Sequence, residues 1–95
     1  MNLNNDDLEN ITAMSGLFLT PSEIAINLNV DESEFIEQIN IPGYDVKRAY
    51  DTGIILGKIK LRTGIMIAAE HGSSPAQQLM LQLLHESEVK RKIDE

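Results

Sequence analysis

The sequence predicts an all-α fold of about five helices. Three observations carry that prediction. Capping signals of the Ser/Thr/Asp-x-x-Glu kind recur just before apolar stretches, the apolar residues then fall at helical spacing, and Gly or Pro closes most stretches. β-Structure has little support. Ile54-Ile55-Leu56 and Ile65-Met66-Ile67 read as strands only in isolation, and their flanks fit a long helix.

The first helix is expected over 5–16, with Leu8, Ile11 and Met14 near one face and Gly16 suited to a C-terminal cap. Thr20-Pro21-Ser22-Glu23 is a capping box. Thr20 caps, Pro21 fits the first helical position, and Glu23 reaches back to the cap. About two turns should follow, through Leu28. Asn29 then stands where a tight reversal needs a residue tolerant of positive φ. Asp31-Glu32-Ser33-Glu34 repeats the box and starts a third helix, with Phe35, Ile36 and Ile39 inward, until Ile41-Pro42-Gly43 breaks it. A long helix is expected over 44–71, ending at Gly72. Ser73-Ser74-Pro75 then opens a C-terminal helix over 74–93, with Leu79, Met80, Leu83 and Leu84 as its apolar stripe.

At 95 residues the chain is read as one small domain, 1–95. It has no cysteine, which excludes disulfides, thiolate metal sites and cysteine nucleophiles. No apolar run reaches the ~18 residues of a membrane span, and the start lacks the order of a signal peptide. The expectation is a cytosolic-type protein with no membrane partner.

The formal net charge is −7, which taken whole argues against nucleic acid. Its distribution says more. Residues 1–46 hold nine acids and no Lys or Arg, a charge of −9. Residues 47–95 hold all eight bases against six acids, a charge of +2. On the long helix, Lys47, Lys58 and Arg62 fall in one sector at ~100° per residue, with Arg48 at its margin. With Lys60 they are the candidate DNA-backbone contacts. The competing reading is a solvated face with Lys47–Asp51 pairing at i,i+4 spacing.

A second stripe on this helix, Val46, Gly53, Gly57, Gly64 and Ala68, spans about one sixth of the circumference. Each glycine inside a helix costs about 1 kcal/mol relative to alanine. Close approach of another helix would offset that cost, either within the chain or from a second subunit, so these five are helix-interface candidates. The alternative is that the glycines kink the helix. The remaining sectors are apolar almost all round, as in a helix buried on several sides, which favours a homo-oligomer.

Residues 17–40 have the layout of a helix-turn-helix unit, with small Ala25 where the helices cross and Asn29 in the turn. The order Leu19-Thr20-Pro21-Ser22-Glu23-Ile24-Ala25, Asp31-Glu32-Ser33-Glu34-Phe35, Lys47-Arg48-Ala49-Tyr50-Asp51-Thr52-Gly53, then Ala69-Glu70-His71-Gly72-Ser73-Ser74-Pro75-Ala76 resembles the small terminase subunits of tailed phages and related phage-borne helix-turn-helix proteins. The resemblance covers roughly residues 17–84. It implies a DNA-packaging role without enzymatic activity, as rings of subunits that recognise viral double-stranded DNA and hand it to the large terminase. It also implies that Asp31–Asn40 is the recognition helix and 44–71 the oligomerising one. Location would be the host cytoplasm or the virion.

The polar positions of that recognition helix depart from the pattern. Ser33, Gln38 and Asn40 have the chemistry to read bases, but Asp31, Glu32, Glu34 and Glu37 would face polyanionic DNA. The competing reading is a packing or protein-docking module, as in a structural or adaptor protein of a viral particle that docks a basic partner through its acidic half. A transcription regulator ranks third. Catalysis finds no constellation: His71 reads as a helix-end residue, His85 with Glu88 is two metal ligands without a third, and no phosphate loop or cofactor motif is present.

Overall fold

The computed structural model describes residues 1–94; Glu95, the last residue of the expected domain, lies outside them. The described residues form five α-helices and no strand: α1 (Asn5–Gly16), α2 (Pro21–Leu28), α3 (Glu32–Gln38), α4 (Asp45–Glu70) and α5 (Ser74–Asp94). They divide into two compact units, Met1–Lys58 and from Ile59 onward, with the boundary inside α4.

In the first unit, local sequence sets the helix ends. Thr20 and Glu23 form the reciprocal capping box, with Glu23 Oε1 accepting from the Thr20 backbone N–H at 2.9 Å and Thr20 Oγ1 accepting from the Glu23 N–H at 3.2 Å. The Thr20 backbone, then its side chain, holds the Glu23 carboxyl below its ordinary pKa. Asp31 caps α3 through the Glu34 N–H. A further box, Asn4 with Asp7, caps α1. Asn29 takes the left-handed conformation at φ 57° and closes α2.

Two helix ends differ from expectation. Gly16 is not the left-handed cap of α1; it is the last helical residue, and Phe18 takes positive φ instead, at 63°. Phe18 and Leu19 N–H groups donate to the Ser15 and Met14 carbonyls, the paired bonds of a Schellman end. Gly16 serves a different purpose, because a Cβ there would lie 3.2 Å from the Gly53 carbonyl oxygen of α4. The third helix stops at Gln38 rather than Asn40. Asn40 Nδ2 turns back to the Ile36 carbonyl at 2.8 Å, and Pro42 disfavours helix at Ile41.

The core of this unit is Ile11, Ile24, Ala25, Phe35, Ile39 and Val46. Ile11, Ile24, Ala25 and Phe35 are fully buried. Ala25 supplies the small side chain that the helix-turn-helix crossing needs. The start of α4 is fixed to α1 by polar as well as apolar contact. Thr12 Oγ1 lies 3.1 Å from both the Leu8 and Ala49 carbonyls, so its one proton serves its own helix and α4 in turn. Buried Ser15 donates to the Thr12 carbonyl.

In the second unit α4 ends at Glu70, the chain turns through Gly72 at φ 93°, and α5 begins behind the Ser73 cap. Gln77 Nε2 donates to the Ala69 carbonyl at 3.1 Å, fastening the two helices near their turn. Ile65, Ala68 and Ala69 on α4, with Ala76, Met80 and Leu83 on α5, are the more buried positions, and among the described residues of this unit only Ala76 is buried. α4 is not buried on several sides. Ile55, Leu56, Ile59, Leu61, Met66 and Ile67 are all exposed. In the first unit α1 meets α4 along its Val46–Gly57 side, and in the second a single partner helix covers only a narrow seam.

Candidate functional site

The helix-turn-helix-like pair is built as expected, but its surface is acidic. Asp31, Glu32 and Glu37 are exposed and Glu34 is half-buried. None of them pairs with a Lys or Arg among the described residues. Glu34 instead accepts from the Met1 ammonium at 2.9 Å, and Glu32 accepts from the Ser22 hydroxyl. Of the base-readout candidates, Ser33 is exposed, Gln38 is half-buried, and Asn40 has its amide committed to the Ile36 carbonyl. A seven-residue helix carrying four acids at and beyond its cap repels a phosphate backbone.

The cations are carried by other helices, α4 and α5. Lys47 is ion-paired with Asp51 at 2.5 Å, the i,i+4 contact that competes with a DNA role. At the surface such a pair contributes about 0–1 kcal/mol. Arg48 and Lys58, in the first unit, and Lys60 and Arg62, in the second, are exposed and without ion pairs among the described residues. An open depression of about 350 Å³ at the start of α4 brings half-exposed Tyr44 together with Lys47 and Arg48. Tyr44 has no role in the sequence reading; its position directly before the helix that carries both bases was the available signal. Asp45 and Asp51 line the same depression, so it has no net charge.

The glycine stripe divides in two. Gly53 and Gly57 are buried, and a Cβ at either would overlap α1: at Gly53 the Ser15 hydroxyl and Thr12 carbonyl, at Gly57 the Gly16 carbonyl. Val46 joins the core. Gly64 is exposed with open space where a Cβ would stand, and Ala68 lies half-buried in the second unit. The close-packed glycines therefore serve packing within the chain. What the second unit leaves uncovered is different: leucine, isoleucine and methionine side chains, among them Ile59, Met66, Leu81 and Leu84.

Comparison with protein-family models, curated proteins and solved structures finds no match. No group of three or more His, Asp or Glu residues is placed to hold a metal ion among the described residues. His71 Nδ1 contacts the Ile67 carbonyl at 2.8 Å, a helix-end contact. Among the described residues no helix is long and apolar enough to cross a membrane.

Proposed function

We propose that this chain is a phage-type genome-packaging component resembling a small terminase subunit, non-enzymatic and oligomeric, which engages DNA or the packaging motor. The observation that carries the reading is the pairing of two dissimilar parts. One is a cored helix-turn-helix-like unit; the other is a helical hairpin with almost no core and many uncovered apolar side chains. A hairpin of this kind gains burial by assembling. DNA contact in this scheme is made by exposed Arg48, Lys58, Lys60 and Arg62 with phosphates, which positions the protein without reading sequence.

The test is DNA binding by the full chain, titrated against salt. Binding should weaken steeply as salt rises. Lys58→Ala with Lys60→Ala should lower the logarithmic slope by roughly 0.9 for each phosphate no longer neutralised. No binding even at low salt would overturn the DNA arm. One observation favours the second reading, an adaptor docking a basic protein surface: Asp31, Glu32 and Glu37 are exposed and have no cationic partner among the described residues. On that reading α3 charge variants, rather than α4 ones, would abolish partner binding.

A further inference from the structure

We infer that α4 has a built-in opening point: over residues 58–64 the helix unwinds locally while the packed lengths on either side stay helical, and duplex DNA laid along Lys58 and Arg62 closes it. The closure rests on the DNA arm of the proposed function; the opening does not.

Packing holds the two ends of α4 and leaves this stretch bare. Contact with α1 reaches Gly57, where a Cβ would meet the Gly16 carbonyl oxygen. The next residue of α4 that is not exposed is Ile65. All seven residues between them, Lys58 to Gly64, are exposed, which is about two turns of helix. Among the described residues no side-chain hydrogen bond or ion pair ties the stretch to another helix. Thr63 Oγ1 donates to the Ile59 carbonyl at 2.7 Å, a bond within α4 that competes with its backbone ladder. Two turns are too short to stay helical unaided, so the stretch is held only by the helix on either side of it. Opening uncovers little apolar surface, because Ile59 and Leu61 are already more than half exposed. What it gives up is chiefly backbone hydrogen bonding.

The local sequence weakens the same stretch. Gly64 has open space where a Cβ would stand, so no close contact offsets its cost to the helix. Lys58, Lys60 and Arg62 have no acid three or four residues away on either side; the nearest acids in α4 are Asp51 and Glu70. Lys58 and Arg62 are instead i,i+4 neighbours, and like charges at that spacing oppose the helix.

The same pair couples opening to an anion. The closed helix sets Lys58 and Arg62 about 40° apart on one face and about 6 Å apart along the axis. A phosphate backbone over them neutralises both charges and removes their repulsion. Unwinding parts the pair, so DNA binds the closed form more tightly and shifts the population toward it.

The experiment is amide hydrogen exchange read residue by residue by NMR. It uses the full chain at low protein concentration, free and with a saturating DNA duplex of about 20 base pairs at low salt. The N–H groups of Arg62, Thr63 and Gly64 bond to carbonyls inside the stretch and report its opening. In the free chain, corrected for intrinsic rate, they should exchange at least about tenfold faster than those of residues 50–57. Urea below the unfolding transition should leave their rate unchanged, since a local opening exposes little surface. Gly64→Ala should slow them by up to about fivefold. Arg62→Glu, which turns repulsion of Lys58 into attraction, should slow them by about two- to fivefold. Bound DNA should slow them by at least about threefold.

Equal protection of the two stretches would overturn the opening. So would exchange that quickens with urea in step with residues 50–57, the mark of global unfolding. Variants that leave the rates unchanged would overturn the assigned causes. Bound DNA without slower exchange would overturn the closure alone. No DNA binding at low salt would overturn the closure together with the DNA reading, while the free-chain rates still decide the opening.

Discussion

The first unit and the second unit solve the problem of burying apolar surface in opposite ways. Between Met1 and Lys58, three short helices close over Phe35, Ile11 and Ile24 and bring backbone against backbone at Gly16, Gly53 and Gly57. From Ile59 onward, two helices meet along a seam in which Ala76 is the one buried side chain among the described residues. A seam between only two helices buries little, so most of the leucine and isoleucine there stays in water. The lesson is that apolar content alone does not measure a core. What counts is how many partner helices reach it, and the second unit has one.

The largest expected effect comes from removing a core side chain in one unit and its nominal equivalent in the other. Phe35→Ala should destabilise the first unit by about 3–5 kcal/mol, because the cavity has no room to collapse. Leu84→Ala, more than half exposed, should leave that unit's unfolding within about 0.5 kcal/mol of the parent. All four aromatic residues lie before residue 59, so tyrosine fluorescence follows the first unit alone in denaturant titrations. Equal losses from the two changes would break the contrast.

A smaller pair of effects sharpens it within a single helix. Gly57→Ala places a methyl group against the Gly16 carbonyl oxygen and should cost about 1–3 kcal/mol in thermal unfolding. Gly64→Ala meets nothing and should gain up to about 1 kcal/mol from helix propensity. If Gly57→Ala were neutral, the backbone contact between α1 and α4 would not be what the glycine is for.

This glycine pair also marks where sequence reading stops. The capping box at Thr20, the reversal at Asn29 and the Pro42-Gly43 break were legible because each is decided within about four residues by local hydrogen bonding and allowed φ; the box expected at Asp31 forms only its Asp31 half, because the Glu34 carboxylate accepts from the Met1 ammonium instead. The Asn4–Asp7 box was equally local and was readable from the same signal. Gly16 was not, since its helical conformation and the positive φ of Phe18 depend on α4 coming to rest against the end of α1. The glycine stripe gave the need for a close neighbour but not its identity, and Gly53 and Gly64 look alike at 3.6 residues per turn. Acidic α3 was visible as charge, whereas the commitment of Asn40 to Ile36 and of Lys47 to Asp51 needed side-chain positions. The exposure of Ile59, Met66, Leu81 and Leu84 was hidden for a related reason: helical periodicity marks a side chain as apolar without saying which chain covers it.

The central proposal is that the core of the first unit is complete in one chain, whereas the hairpin is completed by another. Amide hydrogen exchange of the full chain at a series of protein concentrations tests it most directly, because it reads each helix separately. Protection across α1–α3 should stay constant on dilution, while protection of α5 and of α4 beyond Lys58 should fall as copies separate. Protection of α5 as strong as that of α1–α3 at every dilution would contradict the claim.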